Sequence, residues 1–261
     1  MQAPVTAGLS PVPVVLEPRE AVCRFGLLAL STDLTTEGDA RRVLPERGTA
    51  LHVARVAFEN PTTPENLAQM APRLEGAAAL LTPGEPLAAI YYACTSASVA
   101  IGNDAITDAI TAARPHVPVV TPTRAALAAF AVLGVRRVAL VTPYLVETTQ
   151  PMVDWFAAHG IDVVAARCLG LADDREMARV STDTIIAAAI EADCRDAEAV
   201  FLSCTGLPAL GVIPALEARL GKPVISSNQA ALWQMLCIAG LPARSTFGQI
   251  FSIHSTQREM A

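Results

Sequence analysis

Two cysteines stand in matching company. Cys94 ends the run Ala89-Ile-Tyr-Tyr-Ala93 and is followed by Thr95, Ser96 and Ser98. Cys204 ends Ala199-Val-Phe-Leu-Ser203 and is followed by Thr205 and Gly206. Each sits where an apolar strand gives way to a helical stretch, the end of a parallel strand at which α/β proteins bind ligands. Free N–H groups at a helix start favour an anion there, either a thiolate or a substrate carboxylate. A thiolate serves as a base near neutral pH only if its pKa falls below the free value of about 8.5, which such a position is expected to achieve. Small polar neighbours and a glycine keep both approaches open. The chemistry on offer is proton transfer or nucleophilic addition by two thiols.

The context repeats beyond the cysteines. After each Cys-Thr comes a helix and then a second matching segment: Pro118-Val-Val-Thr-Pro-Thr-Arg-Ala-Ala-Leu127 in the first copy, Pro223-Val-Ile-Ser-Ser-Asn-Gln-Ala-Ala-Leu232 in the second. The offset is 110 residues at the cysteines and 105 at the leucines, so the second copy is five residues shorter. A repeat of this length implies two similar units, each contributing one thiol to a shared cleft.

Other chemistries find little support. The 19 basic residues include one lysine, Lys222, in a Gly-Lys-Pro turn. A pyridoxal phosphate enzyme needs a lysine for its Schiff base, and a P-loop needs Ser or Thr where Pro223 follows. His52, His116, His159 and His254 are scattered, which disfavours a Ser-His-Asp hydrolase. The six cysteines contain no Cys-x-x-Cys, so neither a zinc site nor another metal is expected. Cys23, Cys168, Cys194 and Cys237 read as small buried hydrophobes. Asp104 and Asp108 read as a solvated helix face, and Trp155 and Trp233 as packing residues, with Trp233 near the Ser226–Gln229 loop. No cofactor is expected.

The elements that must position the thiols follow from the apolar pattern. Strands are predicted at Arg24–Leu30, Ala50–Arg55, Ala88–Tyr92, Val117–Val120, Arg137–Thr142, Ile161–Ala165, Ala199–Ser203 and Pro223–Ile225. Helices are predicted at Thr63–Leu81, Val99–Ala113, Arg124–Leu133, Glu147–His159, Thr182–Ala192, Val212–Leu220 and Ala230–Ala239. Continuous apolar strands alternating with helices indicate parallel sheets covered on both faces. The fold class is therefore α/β, with two pseudo-symmetric doubly wound lobes and the site in the cleft between them. Residues 1–22 are expected to form a flexible tail. Residues 23–122, joined by a C-terminal helix at about 228–250, are assigned to the first lobe and 123–227 to the second.

Over 261 residues, 52% are hydrophobic, 5% aromatic and 17% charged, enough for an aliphatic core and incompatible with wholesale disorder. The formal net charge of −6 argues against nucleic acid and against an anionic membrane surface. No run reaches the roughly 18 apolar residues of a membrane span, and the proline-rich start lacks the pattern of a signal peptide. Cytoplasmic free thiols and a small-molecule carboxylate partner are expected, with homo-oligomerisation left open.

The sequence resembles the aspartate/glutamate racemase superfamily, in the branch holding maleate cis-trans isomerases and arylmalonate decarboxylases. The resemblance is carried by Cys94–Ser98, Leu133–Tyr144, Asp173–Val180, Ser203–Thr205 and Leu220–Gln229. Ser31–Glu37 and Phe58–Leu67 further resemble the ectoine-utilisation protein A subgroup. The resemblance implies a cofactor-independent isomerase or racemase, with Cys94 and Cys204 catalytic and facing each other. By the same resemblance, Thr95, Ser96 and Tyr144 would contact a substrate carboxylate, and Thr205 and Gly206 the other end. The decarboxylases carry glycine at the first cysteine, so decarboxylation is disfavoured here. The maleate isomerases usually carry asparagine where this chain has Asp33 and Asp174. An ionised aspartate would repel a dicarboxylate and suit an ammonium, so the expectation leans to an amino acid, aspartate- or hydroxyaspartate-like and set in ectoine catabolism, with maleate as the alternative and a non-catalytic small-molecule binding protein as a further one. Each aspartate could instead cap a helix.

Overall fold

The computed structural model describes residues 6–242 and 245–253; residues 1–5 of the N-terminal tail and His254 lie outside them. Eight strands form two parallel four-stranded sheets. The first holds β1 (Cys23–Leu30), β2 (Thr49–Val56), β3 (Ala89–Ala93) and β4 (Val119–Val120), in the order β2-β1-β3-β4. The second holds β5 (Arg137–Thr142), β6 (Asp162–Cys168), β7 (Ala199–Leu202) and β8 (Val224–Ser226), in the matching order β6-β5-β7-β8. The strand order reverses between β1 and β3 in one lobe and between β5 and β7 in the other. Such switch points open a crevice at the strands' carboxyl ends, and each cysteine follows one of these strands.

The helices are α1 (Thr36–Val43), α2 (Pro64–Ala68), α3 (Leu74–Ala79), α4 (Thr95–Ala100), α5 (Asn103–Ala113), α6 (Pro122–Leu133), α7 (Val146–Ala158), α8 (Asp174–Met177), α9 (Thr182–Ala192), α10 (Ile213–Leu220) and α11 (Ser227–Ala239). One apolar core runs through both lobes, from Phe25, Leu27 and Tyr91 to Phe130, Phe156 and Phe201. A second fills the outer face of the first sheet around Leu28, Ile90 and Leu74. The repeat-equivalent helices α6 and α11 pack on one another, and α11 also lies against β3, tying the lobes together.

Several predicted helices are divided. The stretch 63–81 breaks into α2, a 3-10 turn at Ala71–Arg73 and α3, because Pro72 cannot donate to a continuing helix. The stretch 99–113 breaks at Gly102, whose φ of 91° no L residue adopts cheaply. The long C-terminal helix is corrected too: α11 ends at Gly240 with φ 64° in the left-handed region, well short of residue 250. Helix α1 has no counterpart in the sequence reading. Its inward face is Thr36, Asp39, Ala40 and Val43, half polar, so no apolar stripe announces it. Cys23, Cys168, Cys194 and Cys237 are half-buried rather than buried, and Trp233 is buried with its indole N–H donating to Ile253 O at 2.9 Å. Among the described residues no helix is long and apolar enough to cross a membrane.

Candidate active site

Cys94 is the N-cap of α4, in extended conformation, so its side chain lies at the start of the helix. Its Sγ is 3.6 Å from Ser96 Oγ and feels the backbone N–H of Ala97, although it makes no capping hydrogen bond. Cys204 follows β7 and receives the N–H of Gly206 and the hydroxyl of Tyr144. Tyr144, from the loop after β5, also hydrogen-bonds Ser96. A continuous polar path therefore joins the thiols across the lobes: Cys94, Ser96, Tyr144, Cys204. Both cysteines are nearly closed to solvent, with 5% and 3% of their surface exposed.

Burial decides the protonation state. Loss of water pushes Cys94 up to about 12, and the Ala97 N–H and Ser96 hydroxyl recover only part of that shift. Cys204 is raised as well, by burial and then by the nearby Asp174 carboxylate. The expected lowering by a helix start is thus overturned. A six-residue helix supplies a weak field, and the charges that act on the thiols are the carboxylates of Asp174 and Asp33, with no Lys, Arg or His among them. Both groups rest as neutral thiols.

Asp33 lies in the turn between β1 and α1, and its carboxylate is engaged locally. Oδ1 accepts the N–H groups of Thr35 and Thr36 at 2.8 and 2.9 Å, and Oδ2 accepts the Thr36 hydroxyl at 2.6 Å. This is an Asx-type turn that leads into α1, whose N-cap position is Thr35. Asp173, not Asp174, caps α8 by accepting the Arg175 N–H, and its contacts with Arg175 hold its carboxyl down at about 2. Asp174 turns inward, is buried, and is raised by that burial. The Thr95 hydroxyl donates to Ser227 Oγ at 2.8 Å, and the Thr205 hydroxyl to Ala93 O at 3.1 Å. Those two hydroxyls brace the loops.

Gly206 leaves room at the cleft. A Cβ there would stand 3.3 Å from Asp174 Oδ1 and 3.5 Å from Cys204 Sγ. Gly206→Ala is therefore expected to fold normally and to lower kcat/KM by about 10- to 100-fold, because a methyl would fill space next to the Cys204 thiol. Steady-state kinetics with a matched thermal melt would check this.

Several residues that build the site escaped the sequence reading. Asn228, at the start of α11, accepts the Tyr91 hydroxyl at 3.0 Å and donates to Asp39 Oδ2 at 3.0 Å and Thr205 O at 2.8 Å. It links both lobes beneath the thiols. Thr32 and Asn60, on the loops after β1 and β2, reach across to Asp174 and Asp173. The polar run Ser226–Gln229 opening an otherwise apolar helix was the one visible signal.

Two pseudo-symmetric lobes, each bringing one buried thiol from the carboxyl end of an equivalent strand, define a two-thiol architecture. The chain belongs to the arylmalonate decarboxylase family, whose model matches residues 60–251. The arylmalonate decarboxylase of Bordetella bronchiseptica is 36% identical over 138 residues, which cover 51% of this chain and 58% of that enzyme. The maleate isomerase of Nocardia farcinica is 26% identical over 84% of this chain and 91% of its own length. In three dimensions, a cysteine-to-alanine variant of the maleate isomerase from Pseudomonas putida S16, solved with maleate, superposes with a TM-score of 0.80 at 28% identity, covering 88% of this chain and 98% of that one. The two-lobed parallel fold is the same.

Proposed function

We propose that the protein is a cofactor-independent isomerase that works on a small carboxylate with Cys94 and Cys204, and that its reaction is cis-trans isomerisation of a short unsaturated dicarboxylate of the maleate type. The observation that carries the reading is the pair of thiols from equivalent strand ends, joined through Ser96 and Tyr144 in one buried cleft. The near full-length likeness to maleate isomerases supports placing this reaction ahead of the amino-acid one.

In this scheme Cys94 first yields its proton to water, and the resulting thiolate adds to one alkene carbon, forming an S–C bond as the alkene π bond breaks. The neighbouring carbon takes the proton of the Cys204 thiol, leaving that sulfur as the thiolate. Rotation about the new single bond and reversal of both steps release the trans product and restore the starting pair. Ser96, Tyr144 and the N–H groups of Thr95 and Ser96 hold one carboxylate, while Thr205 and Gly206 border the other end. Nothing is consumed.

A second reading is racemisation of an amino acid, one thiolate removing the α-proton while the other thiol protonates the opposite face. Asp174, an inward-facing carboxyl, favours it, and the ectoine-utilisation resemblance would place such a substrate in ectoine breakdown. Incubation with maleate and with aspartate in deuterated water separates the readings: a trans product from maleate supports the first, and α-deuterated aspartate supports the second.

The resting thiols fix a pH dependence under either reading. The group that must ionise has its pKa raised, so its reactive form grows about tenfold per pH unit below that value. The rate constant kcat is accordingly expected to climb steadily from pH 7 to 9. A flat profile over that range would contradict a neutral resting pair.

A further inference from the structure

The Asp174 carboxyl is held on one side and open on the other. Its Oδ2 accepts the Thr32 hydroxyl at 2.6 Å, and its backbone N–H donates to Asn60 Oδ1 at 2.9 Å. Asn60 Nδ2 continues to Asp173 Oδ1 at 2.9 Å, while the Thr62 N–H donates to Ala172 O at 2.8 Å. Thr32, Asn60 and Thr62 belong to the first lobe; residues 172–174 belong to the second. The loop after β2 thus grips the loop after β6, its counterpart in the repeat, and fixes where the carboxyl points. Oδ1 lies on the same side of Gly206 as Cys204 Sγ, on the reacting face of the cleft.

The charges around it leave a substrate anion unbalanced. Asp33 faces Asp174 from the turn before α1, and Asp173 adjoins it on the same loop. Arg175 is the cation nearby, and its guanidinium is already paired with Asp173 at the surface. The remaining titratable neighbours are Cys94 and Cys204, both neutral thiols. A carboxylate entering beside Oδ1 would meet like charge in a place that water does not screen.

We infer that Asp174 selects the substrate by charge: whatever end of the substrate meets Oδ1 must bring a hydrogen-bond donor, or the carboxyl must take up a proton as the substrate binds. A dianion then binds together with one proton, and a molecule with an ammonium at that position binds without one. This rests on the two-thiol reading of the cleft. Burial of the carboxyl already favours its neutral form and so lowers the cost of that uptake.

Succinate and aspartate are suitable probes, since they share a carbon skeleton and differ by one ammonium, and neither can undergo addition to a double bond. Calorimetric titrations in two buffers of different ionisation enthalpy count protons directly. Succinate binding to the unaltered protein is expected to take up about one proton, and to weaken by up to about tenfold per pH unit from pH 7 to 9. Aspartate is expected to bind with no uptake. In Asp174→Asn, succinate should bind without uptake and independently of pH, and aspartate should bind at least tenfold more weakly. Proton-neutral, pH-independent succinate binding by the unaltered protein overturns the inference, as does an uptake that persists in Asp174→Asn or a failure of that variant to bind succinate. Should Asp174→Asn not fold, the proton count of the unaltered protein decides alone. Failure of the underlying reading shows elsewhere: Cys94→Ala and Cys204→Ala would then keep full turnover, whatever the proton count.

Discussion

Cys204→Ala is expected to lower kcat by about 10⁴-fold and to leave a covalent adduct of the whole substrate on Cys94. General acid–base groups typically contribute 10²- to 10⁴-fold, and here the same sulfur must both give and retake the proton in each turnover. Without it, addition at Cys94 still proceeds, but the proton at carbon comes from stray water and cannot be reclaimed by a placed base. The adduct then accumulates. Mass spectrometry after incubation with maleate should find the added mass on the peptide containing Cys94, and Cys94→Ala should show none. The double variant should be no slower than either single one, because the two groups act as a unit. An adduct-free Cys204→Ala protein with near-normal turnover would remove the two-thiol mechanism. Exchange of the α-hydrogen in the unaltered protein with no adduct in the variant would instead select racemisation.

The second large effect is on stability, and it comes from Asp39. This residue lies on α1 with its carboxyl buried, accepting from Asn228 at 3.0 Å, with the half-exposed Arg42 3.9 Å away. Burial pushes its carboxyl up from 3.8 to about 6. The folded state therefore holds this proton more tightly than the unfolded state does. Below about pH 4 both states are protonated and the group contributes nothing to the difference. Between about pH 4 and 6 the unfolded chain is ionised while the folded one still holds its proton, so the fold loses about 1.4 kcal/mol per unit, ~3 kcal/mol in all, and above about pH 7 the loss stays level. Asp39→Asn keeps an acceptor for Asn228 and cannot ionise. It is expected to raise stability by up to ~3 kcal/mol at pH 8, a gain of several degrees in Tm, and to change little at pH 4. Urea melts at the two pH values would check it. Equal shifts at both, or a loss at pH 8, would show that the carboxylate is better solvated than its burial implies.

Asp39 also shows how the site is founded. The helix carrying it has a polar inner face because that face meets Asn228 and, through it, Tyr91 and the loop of Thr205. A buried polar network of this kind holds the loops after β3 and β7 in one geometry only if each member finds its partner. On the side of the thiols the lobes therefore meet on threonine and asparagine side chains, while α6 and α11 join them through the shared apolar core.

The sequence by itself determined the strands, the two lobes and the two thiols. All eight strands form where short apolar runs predicted them: the inner strands β1, β3, β5 and β7 are almost wholly apolar because both their faces are covered, while the edge strands β2 and β6 are partly exposed and admit His52, Arg55 and Arg167. The repeat placed Cys94 and Cys204 at equivalent strand ends, because a duplicated unit carries its chemistry with it. Tertiary structure alone decided the rest. Whether a thiol ionises depends on how much water and which charges surround it, and Asp174, which raises Cys204, lies 30 residues away in the chain. Asp33 and Asp174 look alike in sequence, yet one carboxylate closes the turn into α1 and the other turns inward. That choice was made by Thr36 beside the first and by Thr32 and Asn60 reaching across from the other lobe to the second. Contacts between loops distant in sequence leave no periodic trace, since a single polar residue at the right place in the fold is enough to make them.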